Sequence, residues 1–355
     1  MNILYLGFSQ PYTSVDGVYL KGLQARGVAV TAYFYPAAGW RRYRDAVRRL
    51  FQHRQEIDLV IIGYATPQLV TLLRVFTRKP IIYNALCSEY ERKVISRTLR
   101  QKRYPMLVYH IYYWLIDWLA CACANLIMLE SRHQIDWFCA VFFMPVRKYW
   151  LARTGADDTK FACDRTLKKF ETFTALFRGR LLPEAGGDVA VQAAKLLEGR
   201  GIKVLMLASG MELPMVQRLI DELQPDNLTL RTEFIPDDEL LTTMQRCHVS
   251  LGQLSRHDRL QRTIPHKAYE SLALGLPYLT ARNPAVLELL QEGETCLTCN
   301  PSDPEDLAEK ILWAKEHPRE IAQIGENGHL LFQEQLTPQK LAGNLLAHIR
   351  RIGLI

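Results

Sequence analysis

A lysine and a carboxylate stand three residues apart at the start of a predicted helix. The segment RTIPHKAYESLALGLPYL, residues 262–279, has Pro265 where this helix would begin and Gly275 where it would end. Lys267 and Glu270 therefore share one face near a helix N-terminus, which carries unpaired N–H groups and partial positive charge. A lysine in the first turn suits a diphosphate, and a carboxylate one turn later suits the two hydroxyls of a ribose. An ordinary surface ion pair has the same spacing.

An arginine and several glycines form a second candidate phosphate site. In FRGRLLPEAGGDVAVQAAKLL, residues 177–197, a predicted strand ends at a loop that contains Gly179 and Arg180, and a helix follows. Arg180 could donate two charge-assisted hydrogen bonds to a phosphate, and glycine lets the backbone approach a ligand closely. Loops of this kind are common, so the segment indicates a phosphate site only in combination with the first one.

Alternating strands and helices must position these residues. In the first half, strands are predicted at 3–7, 28–35, 59–63, 80–84 and 126–129, with helices around 18–26, 41–54, 67–76 and 106–124. After residue 170, strands are predicted at 174–177, 203–208, 228–233, 249–252 and 278–280, again with helices between them. This alternation predicts an α/β protein with two doubly wound parallel sheets, which bind ligands at their carboxyl ends. We expect domains at 1–165 and 166–335 and a final helix, 336–355, that could return toward the first domain.

Composition and charge narrow the class of protein. The 355 residues are 48% hydrophobic and 23% charged, as expected for a soluble globular protein. The net charge of +7 combines a basic first half with a mildly acidic second half. Eight scattered cysteines, with Cys296 and Cys299 as the one C-x-x-C pair, favour reduced thiols in the cytoplasm. The opening MNILYLG reads as a strand, so we expect no signal peptide.

Together the two segments resemble the C-terminal domain of the glycosyltransferase family 4 group of GT-B enzymes. That pattern is a strand, G-R-L-x-x-E-K-G, and later E-x7-E followed by A-x-G-x-P. The segments at 208–212, 227–240 and 283–311 agree with it in order. The resemblance implies two Rossmann-like domains that face each other across a cleft. It also implies retaining transfer of a hexosyl or N-acetylhexosaminyl group from a UDP- or GDP-sugar, without a cofactor. The sequence contains no D-x-D motif, so no metal is expected.

The resemblance assigns roles to individual residues. Glu270 matches the second Glu of E-x7-E and would contact the ribose hydroxyls. Arg180 matches the phosphate-binding arginine, and Gly17, in the loop after the first strand, matches the glycine whose backbone faces the diphosphate. The remaining donor positions are Gly179, Gly210, Ile235, Pro236 and Lys267.

Two positions depart from the family pattern. The first Glu of E-x7-E falls on Arg262, and the usual phosphate-binding lysine falls on Ala185. A subgroup with the motif I-P-x-K-x-x-E is more similar to this chain, and there Lys267 would supply the missing positive charge. The departures leave open a second hypothesis, a catalytically degenerate nucleotide-sugar-binding protein.

The first half offers acceptor-side groups. In YNALCSEYER, residues 83–92, Asn84, Ser88 and Glu89 follow a strand and are candidates to contact the acceptor, although Asn and Ser also have structural roles in turns. The apolar stretch 106–129 is long enough for a membrane span. We interpret it instead as a buried helix and a strand, because His110 and Asp117 interrupt it.

Two basic segments suggest a membrane surface. Aromatic and apolar residues recur at helical spacing among the arginines of residues 40–54, and residues 92–105 are also basic. Such a helix suits an anionic membrane, or else packs on its own sheet with a solvated basic face. Because the family often uses lipid-linked glycan acceptors, we favour a cytoplasmic protein bound peripherally to the inner face of the membrane. A nucleotide-dependent oxidoreductase is disfavoured because no G-x-G-x-x-G follows the first strand, and no nucleic-acid-recognition motif is found.

Overall fold

The chain divides into two compact units. A computed structural model describes residues 1–8, 15–35, 39–96 and 105–355. Unit 1 contains residues 1–157 and 335–355, and unit 2 contains residues 158–334. The chain therefore leaves unit 1 slightly before the predicted boundary at residue 165.

Unit 1 is built on a six-stranded parallel sheet. Its strands are β1 (Asn2–Gly7), β2 (Ala29–Phe34), β3 (Leu59–Ile62), β4 (Ile81–Leu86), β5 (Leu126–Leu129) and β6 (Tyr149–Leu151). They lie in the order β2-β1-β3-β4-β5-β6, and each pairs parallel with its neighbours. Every residue of β3 and β5 is buried, which explains why these strands read as continuous apolar runs.

Helices cover both faces of this sheet. They are α1 (Val15–Ala25), α2 (Arg41–His53), α3 (Pro67–Phe76), α4 (Met106–Cys123) and α5 (Arg132–Phe142). Buried side chains of α2, α3, α4 and α5 share one hydrophobic core, and those of α1 belong to the core on the other face. A π-helical turn, Glu91–Ile95, follows β4.

Unit 2 has a second six-stranded parallel sheet. Its strands are β7 (Phe173–Leu181), β8 (Ile202–Gly210), β9 (Leu228–Arg231), β10 (Val249–Leu251), β11 (Tyr278–Ala281) and β12 (Leu297–Cys299). Their order is β12-β11-β10-β7-β8-β9, again with parallel pairing throughout. The helices are α6 (Gly187–Leu196), α7 (Leu213–Leu223), α8 (Asp237–Arg246), α9 (His266–Ala273), α10 (Pro284–Leu287), α11 (Pro304–Glu316) and α12 (Pro318–Leu331).

Ten of the predicted strands are present, and the strand prediction was incomplete at four places. The short strands β6 and β12 were missed, and β7 and β8 are longer than predicted. Gly179 and Arg180 were predicted in a loop, but they continue β7 because β8 pairs with them as far as its last residue, Gly210.

Helix α4 differs from the prediction of a buried helix. Its buried residues include Asp117, whereas Leu107 is 69% exposed and Ile111 is also exposed. The reason lies in its length. Helix α4 has 18 residues and α3 has 10, and the two ends meet where Arg74 Nε donates to the Cys123 carbonyl at 2.9 Å. At 1.5 Å per residue, the first turns of α4 extend about 12 Å beyond α3, and several of their side chains are exposed. By length and composition, α4 is the one helix among the described residues that could cross a membrane, with 22% of it buried.

The chain returns to unit 1 at its end. The last helix, α13 (Pro338–Arg351), packs against α1, and Arg26 Nε donates to the carbonyl of Gln339 at 2.6 Å. The helices touch at Gly22, which is buried and has no room for a side chain, because a Cβ there would overlap the carbonyl oxygen of Pro338. Glycine at position 22 therefore sets the distance between α1 and α13.

Replacing this glycine should weaken the packing of α13. We expect Gly22→Val to lower the stability of unit 1 by roughly 1–3 kcal/mol, because the helices must separate to admit the side chain. The urea midpoint of unfolding measures the effect. Gln24→Val, at an exposed position of α1, is the matched control. Equal midpoints for the two variants would contradict the proposed packing constraint.

Candidate functional site

The second sheet has a switch point at its centre. Strands β7 and β10 are neighbours, with Phe177 beside Leu251. From β7 the chain builds outward to β8 and β9, and from β10 it builds in the opposite direction to β11 and β12. Connections that diverge in this way leave a crevice at the carboxyl ends of the two central strands, where doubly wound sheets bind ligands. The residues after β7 and β10 therefore define the candidate site.

Helix α9 carries two of the predicted residues, Lys267 and Glu270, at this crevice. Pro265 is its N-cap, and the helix begins at His266. Ser271 Oγ donates to Ser250 Oγ of β10 at 2.9 Å, and the apolar face of α9 is buried. The helix is thereby held with its N-terminus at the carboxyl edge, which places Lys267 and Glu270 beside the end of β7.

Arg178 is a site residue that the sequence analysis missed. It lies on β7 and forms an ion pair with Glu270, in which Arg178 Nη2 faces Glu270 Oε2. The two side chains are 15% and 18% exposed, so the pair is largely shielded from water. The alternation of β7 offered a signal, because Arg178 and Arg180 are two residues apart and point to the same face of the strand. The prediction that the strand ended at Phe177 hid that signal.

Lys267 lies between a carbonyl group and an aromatic ring. Its Nζ donates to the carbonyl oxygen of Gly252 at 3.3 Å and lies 4.8 Å from the centre of the Phe177 ring. Burial, with a smaller contribution from the positive charge of Arg178, lowers the pKa of Lys267 to about 7. The same two causes lower the pKa of His266 to about 4, so His266 is neutral at pH 7. The site thus holds an amine that can change charge near neutral pH.

The other predicted donor residues lie at the same edge of the sheet. Arg180 and Gly179 are exposed at the end of β7, and Gly210 ends β8. A Cβ at Gly210 would lie 2.5 Å from the Leu181 carbonyl oxygen, so the two backbones approach closely there. Ile235 and Pro236 immediately precede α8, and the neighbouring Phe234 is 88% exposed.

The two departures from the family pattern have local explanations. Arg262 is buried and its Nη2 donates to Asp258 Oδ2 at 2.6 Å, so its charge is balanced four residues away in the sequence. Ala185 is buried in the hydrophobic core of unit 2. The preceding residue, Glu184, accepts from Arg259 Nη1 at 2.9 Å. Both positions are therefore part of the packed structure of unit 2.

The first sheet has its own switch point, between β1 and β3. Asp16, a buried residue in the first turn of α1, spans it. Its carboxylate accepts from the Tyr5 hydroxyl at 2.8 Å, the Tyr64 amide at 3.0 Å and Asn84 Nδ2 at 2.7 Å. Gly17 follows it and lies inside α1, so the prediction that Gly17 is in a loop was wrong. The described part of this helix begins at Val15.

The predicted acceptor-side residues all have structural partners. Asn84 binds Asp16, as described above. Ser88 Oγ accepts from the amide of Glu91 at 2.9 Å, and Glu89 pairs with Arg92. Their role toward an acceptor stays a prediction. Across the described ranges, no cluster of three or more His, Cys, Asp or Glu side chains could hold a metal ion.

Comparison with known proteins shows what the chain is similar to. Residues 160–330 match the family model described as glycosyl transferases group 1. WcaL of Salmonella typhimurium, described as a colanic acid biosynthesis glycosyltransferase, is 22% identical over 170 residues. The match spans 47% of this chain and 42% of WcaL, so less than half of either protein is compared.

Solved structures resemble the whole chain. HepE of Anabaena in complex with UDP-glucose has a TM-score of 0.72 at 15% identity, over 99% of this chain and 100% of HepE. Sucrose-phosphate synthase of Thermosynechococcus elongatus has a TM-score of 0.77 at 14% identity, over 99% of each chain. At these identities the likeness shows the fold, and it confirms the predicted GT-B architecture of two doubly wound α/β domains.

The lowered pKa of Lys267 predicts a pH-dependent stability. Between pH 7 and the ordinary lysine value of 10.5, the unfolded chain holds a proton that the folded protein has lost. Wild-type stability should therefore rise with pH in this window, relative to a variant without the amine. We expect the difference in urea midpoint, Lys267→Met minus wild type, to fall as pH rises from 7 to 10. Lys203→Met, at an exposed position of β8, is the control. A difference that does not change with pH would contradict the assignment.

Proposed function

We propose that this protein is a retaining glycosyltransferase that moves a sugar from a UDP- or GDP-sugar to a glycan acceptor, and that the acceptor is lipid-linked. The observation that carries the proposal is the placement of Lys267 and Glu270 at the N-terminus of α9, at the switch point of the unit 2 sheet. Support comes from the match of residues 160–330 to the glycosyl transferases group 1 family model. It also comes from the fold shared with HepE, which was solved with UDP-glucose.

The donor is held by groups of different chemistry. Lys267, Arg180 and the N-terminal end of α9 bind the diphosphate. Glu270 accepts hydrogen bonds from the ribose hydroxyls, and the backbone at Ile235 and Pro236 reads the base. Gly17, in the first turn of α1, stays a predicted donor-binding residue. Gly179 and Gly210 have no side chain, so the ligand can approach the backbone closely at the ends of the strands.

The reaction is a front-face displacement. The bond between the sugar C1 and the β-phosphate oxygen breaks, and a bond between C1 and the acceptor hydroxyl oxygen forms on the same face. The hydroxyl proton passes to the departing phosphate oxygen, so the products are a nucleoside diphosphate and a glycoside with the original anomeric configuration. Positive groups fixed around the diphosphate stabilise the charge that develops there. Bound diphosphate also favours the ammonium form of Lys267.

Turnover with a panel of UDP- and GDP-sugars tests this function. A glycoside that retains the anomeric configuration, observed by NMR, is the expected product. Tight donor binding without transfer or hydrolysis would favour the second hypothesis, a degenerate nucleotide-sugar-binding protein, which is motivated by Arg262 and Ala185. An inverted product would overturn the mechanism.

The role of Glu270 can be tested through the ribose. Wild-type protein should bind UDP or GDP more tightly than the 2′-deoxy form, by about tenfold, because the carboxylate loses a charge-assisted hydrogen bond. In Glu270→Gln this preference should shrink to about twofold. Calorimetric titration of both ligands gives the ratio for each protein. An unchanged preference in Glu270→Gln would remove Glu270 from the ribose site.

Membrane contact is proposed for unit 1. In α2, Ala46 and Leu50 are buried against the sheet, and Trp40, directly before the helix, is exposed. Some of the arginines of α2 are exposed, and others pack on aromatic rings of unit 1. The larger apolar surface is on the protruding first turns of α4, and its exposed residues are Leu107, Val108, Ile111, Tyr112 and Leu115. The basic sequence 92–103 directly precedes it, although residues 97–104 lie outside the described ranges. An apolar face that follows a basic segment in the sequence suits an anionic bilayer, so we propose that the protein lies peripherally on the inner face of the cytoplasmic membrane.

Helix α4 also lies near the acceptor-side groups. Asp117 of α4 accepts from the amide of Tyr90 at 2.7 Å, and the Tyr90 hydroxyl lies 3.0 Å from His110 Nδ1. The turn that carries Ser88 and Glu89 therefore rests on α4. A bilayer that contacts α4 would present a lipid-linked acceptor to this turn.

Charge placed on the apolar face should abolish membrane binding. We expect Leu107→Glu/Ile111→Glu to reduce sedimentation with anionic vesicles at least tenfold, because two carboxylates oppose both insertion and surface attraction. Wild-type binding should weaken as salt rises. Leu196→Glu/Leu330→Glu, two exposed leucines of unit 2, is the matched control. Equal loss in both double variants would locate the contact elsewhere.

A further inference from the structure

Arg178 is a buried charge that the proposed donor site has not used. One end of its guanidinium pairs with Glu270. Its Nε is buried and has no hydrogen-bond partner within the part of the chain that the structure describes. Burial lowers the pKa of Arg178 to about 10, so it still carries its charge at neutral pH. A buried guanidinium that lacks some of its hydrogen bonds destabilises the protein. Its presence therefore calls for an explanation, such as a bound ligand.

The charges around Arg178 do not balance. Lys267 and His266 of α9 face it, together with the Glu270 carboxylate, and Tyr278 of β11 lies close enough to influence its pKa. Glu270 is thus one carboxylate beside two potential cations. The positive charge of Arg178 also opposes protonation of Lys267. An arriving anion would relieve this repulsion, which is the electrostatic character of a diphosphate site.

The surplus of positive charge at Arg178 coincides with the loss of a positive charge at position 185. The family pattern has a lysine there, whereas the alanine of this chain is buried in the hydrophobic core and contributes no charge. Arg178 lies on the preceding strand, two residues before Arg180 and on the same face. At about 3.3 Å per residue, their Cα atoms are separated by roughly 7 Å, within reach of one diphosphate for two arginine side chains.

We propose that Arg178 is a donor-binding residue that contacts the diphosphate and at the same time holds Glu270 toward the ribose. Its guanidinium replaces the charge that is missing at residue 185. The planar fork of arginine can serve a carboxylate and a phosphate together, which a lysine cannot do with the same geometry. The inference rests on the proposed donor site in unit 2.

A purely structural role would give a different result. If Arg178 only holds Glu270, its removal should lower the affinities for uridine, UMP and UDP by the same factor, because all three ligands contain the ribose. If it contacts the diphosphate, the loss should grow with the number of phosphates. The same comparison with guanosine, GMP and GDP applies if guanine is the preferred base.

The experiment is calorimetric titration of these ligands at constant ionic strength. For Arg178→Met, the loss of affinity should be at least tenfold greater for the diphosphate than for the nucleoside, because the nucleoside loses only the contact that Glu270 makes. Arg178→Lys keeps the charge without the fork, so its diphosphate affinity should lie between those of the wild type and Arg178→Met. It also provides a folded variant if the methionine form is unstable. Arg218→Met, on the exposed surface of α7, is the control.

Two results would overturn the inference. One is an equal loss for all three ligands of a series, and the other is unchanged diphosphate affinity in both Arg178 variants. If the wild type binds neither diphosphate, the proposed function itself fails. The two failures are therefore distinguishable.

Discussion

The burial of positive charge at the carboxyl edge of a parallel sheet is the constraint on which the site in unit 2 depends. Arg178 and Lys267 are held there by the end of β7 and the start of α9, with Glu270 as the neighbouring carboxylate. Charges taken out of water need partners, and here one carboxylate, one backbone carbonyl and one aromatic ring provide them. We propose that the binding of a polyanion offsets the cost of burying these charges. Shielding from water makes each of these interactions stronger than it would be at the surface.

Unit 1 also buries a charge at the switch point of its sheet, but this charge is negative. Asp16 is a buried carboxylate at the switch point of the first sheet, and neutral donors from β1, from the loop after β3 and from β4 stabilise it. Gly63 permits the approach, because a Cβ there would lie 2.6 Å from the carboxylate. The bonds fix the first turn of α1, so the N–H groups near Gly17 have a defined direction. In both units a short network of hydrogen bonds orients a helix N-terminus.

Much of the fold could be predicted because parallel strands buried on both faces are continuous apolar runs. The placement of Lys267 and Glu270 at the start of a helix could be predicted because proline and glycine mark the ends of α9. Arg178 could not, because its importance arises from a contact with Glu270, 92 residues away. The exposure of α4 was missed for a similar reason. Composition shows that a helix is apolar, but the ten-residue length of α3 decides how much of α4 is covered.

Hydrogen exchange with and without UDP or GDP tests the central claim most directly, because it locates the ligand without a substitution. The account predicts slower exchange at saturating ligand in the segments 177–187 and 252–270 of unit 2, where β7 ends and α9 begins. Unchanged exchange in both segments, at a ligand concentration shown to saturate binding, would contradict it.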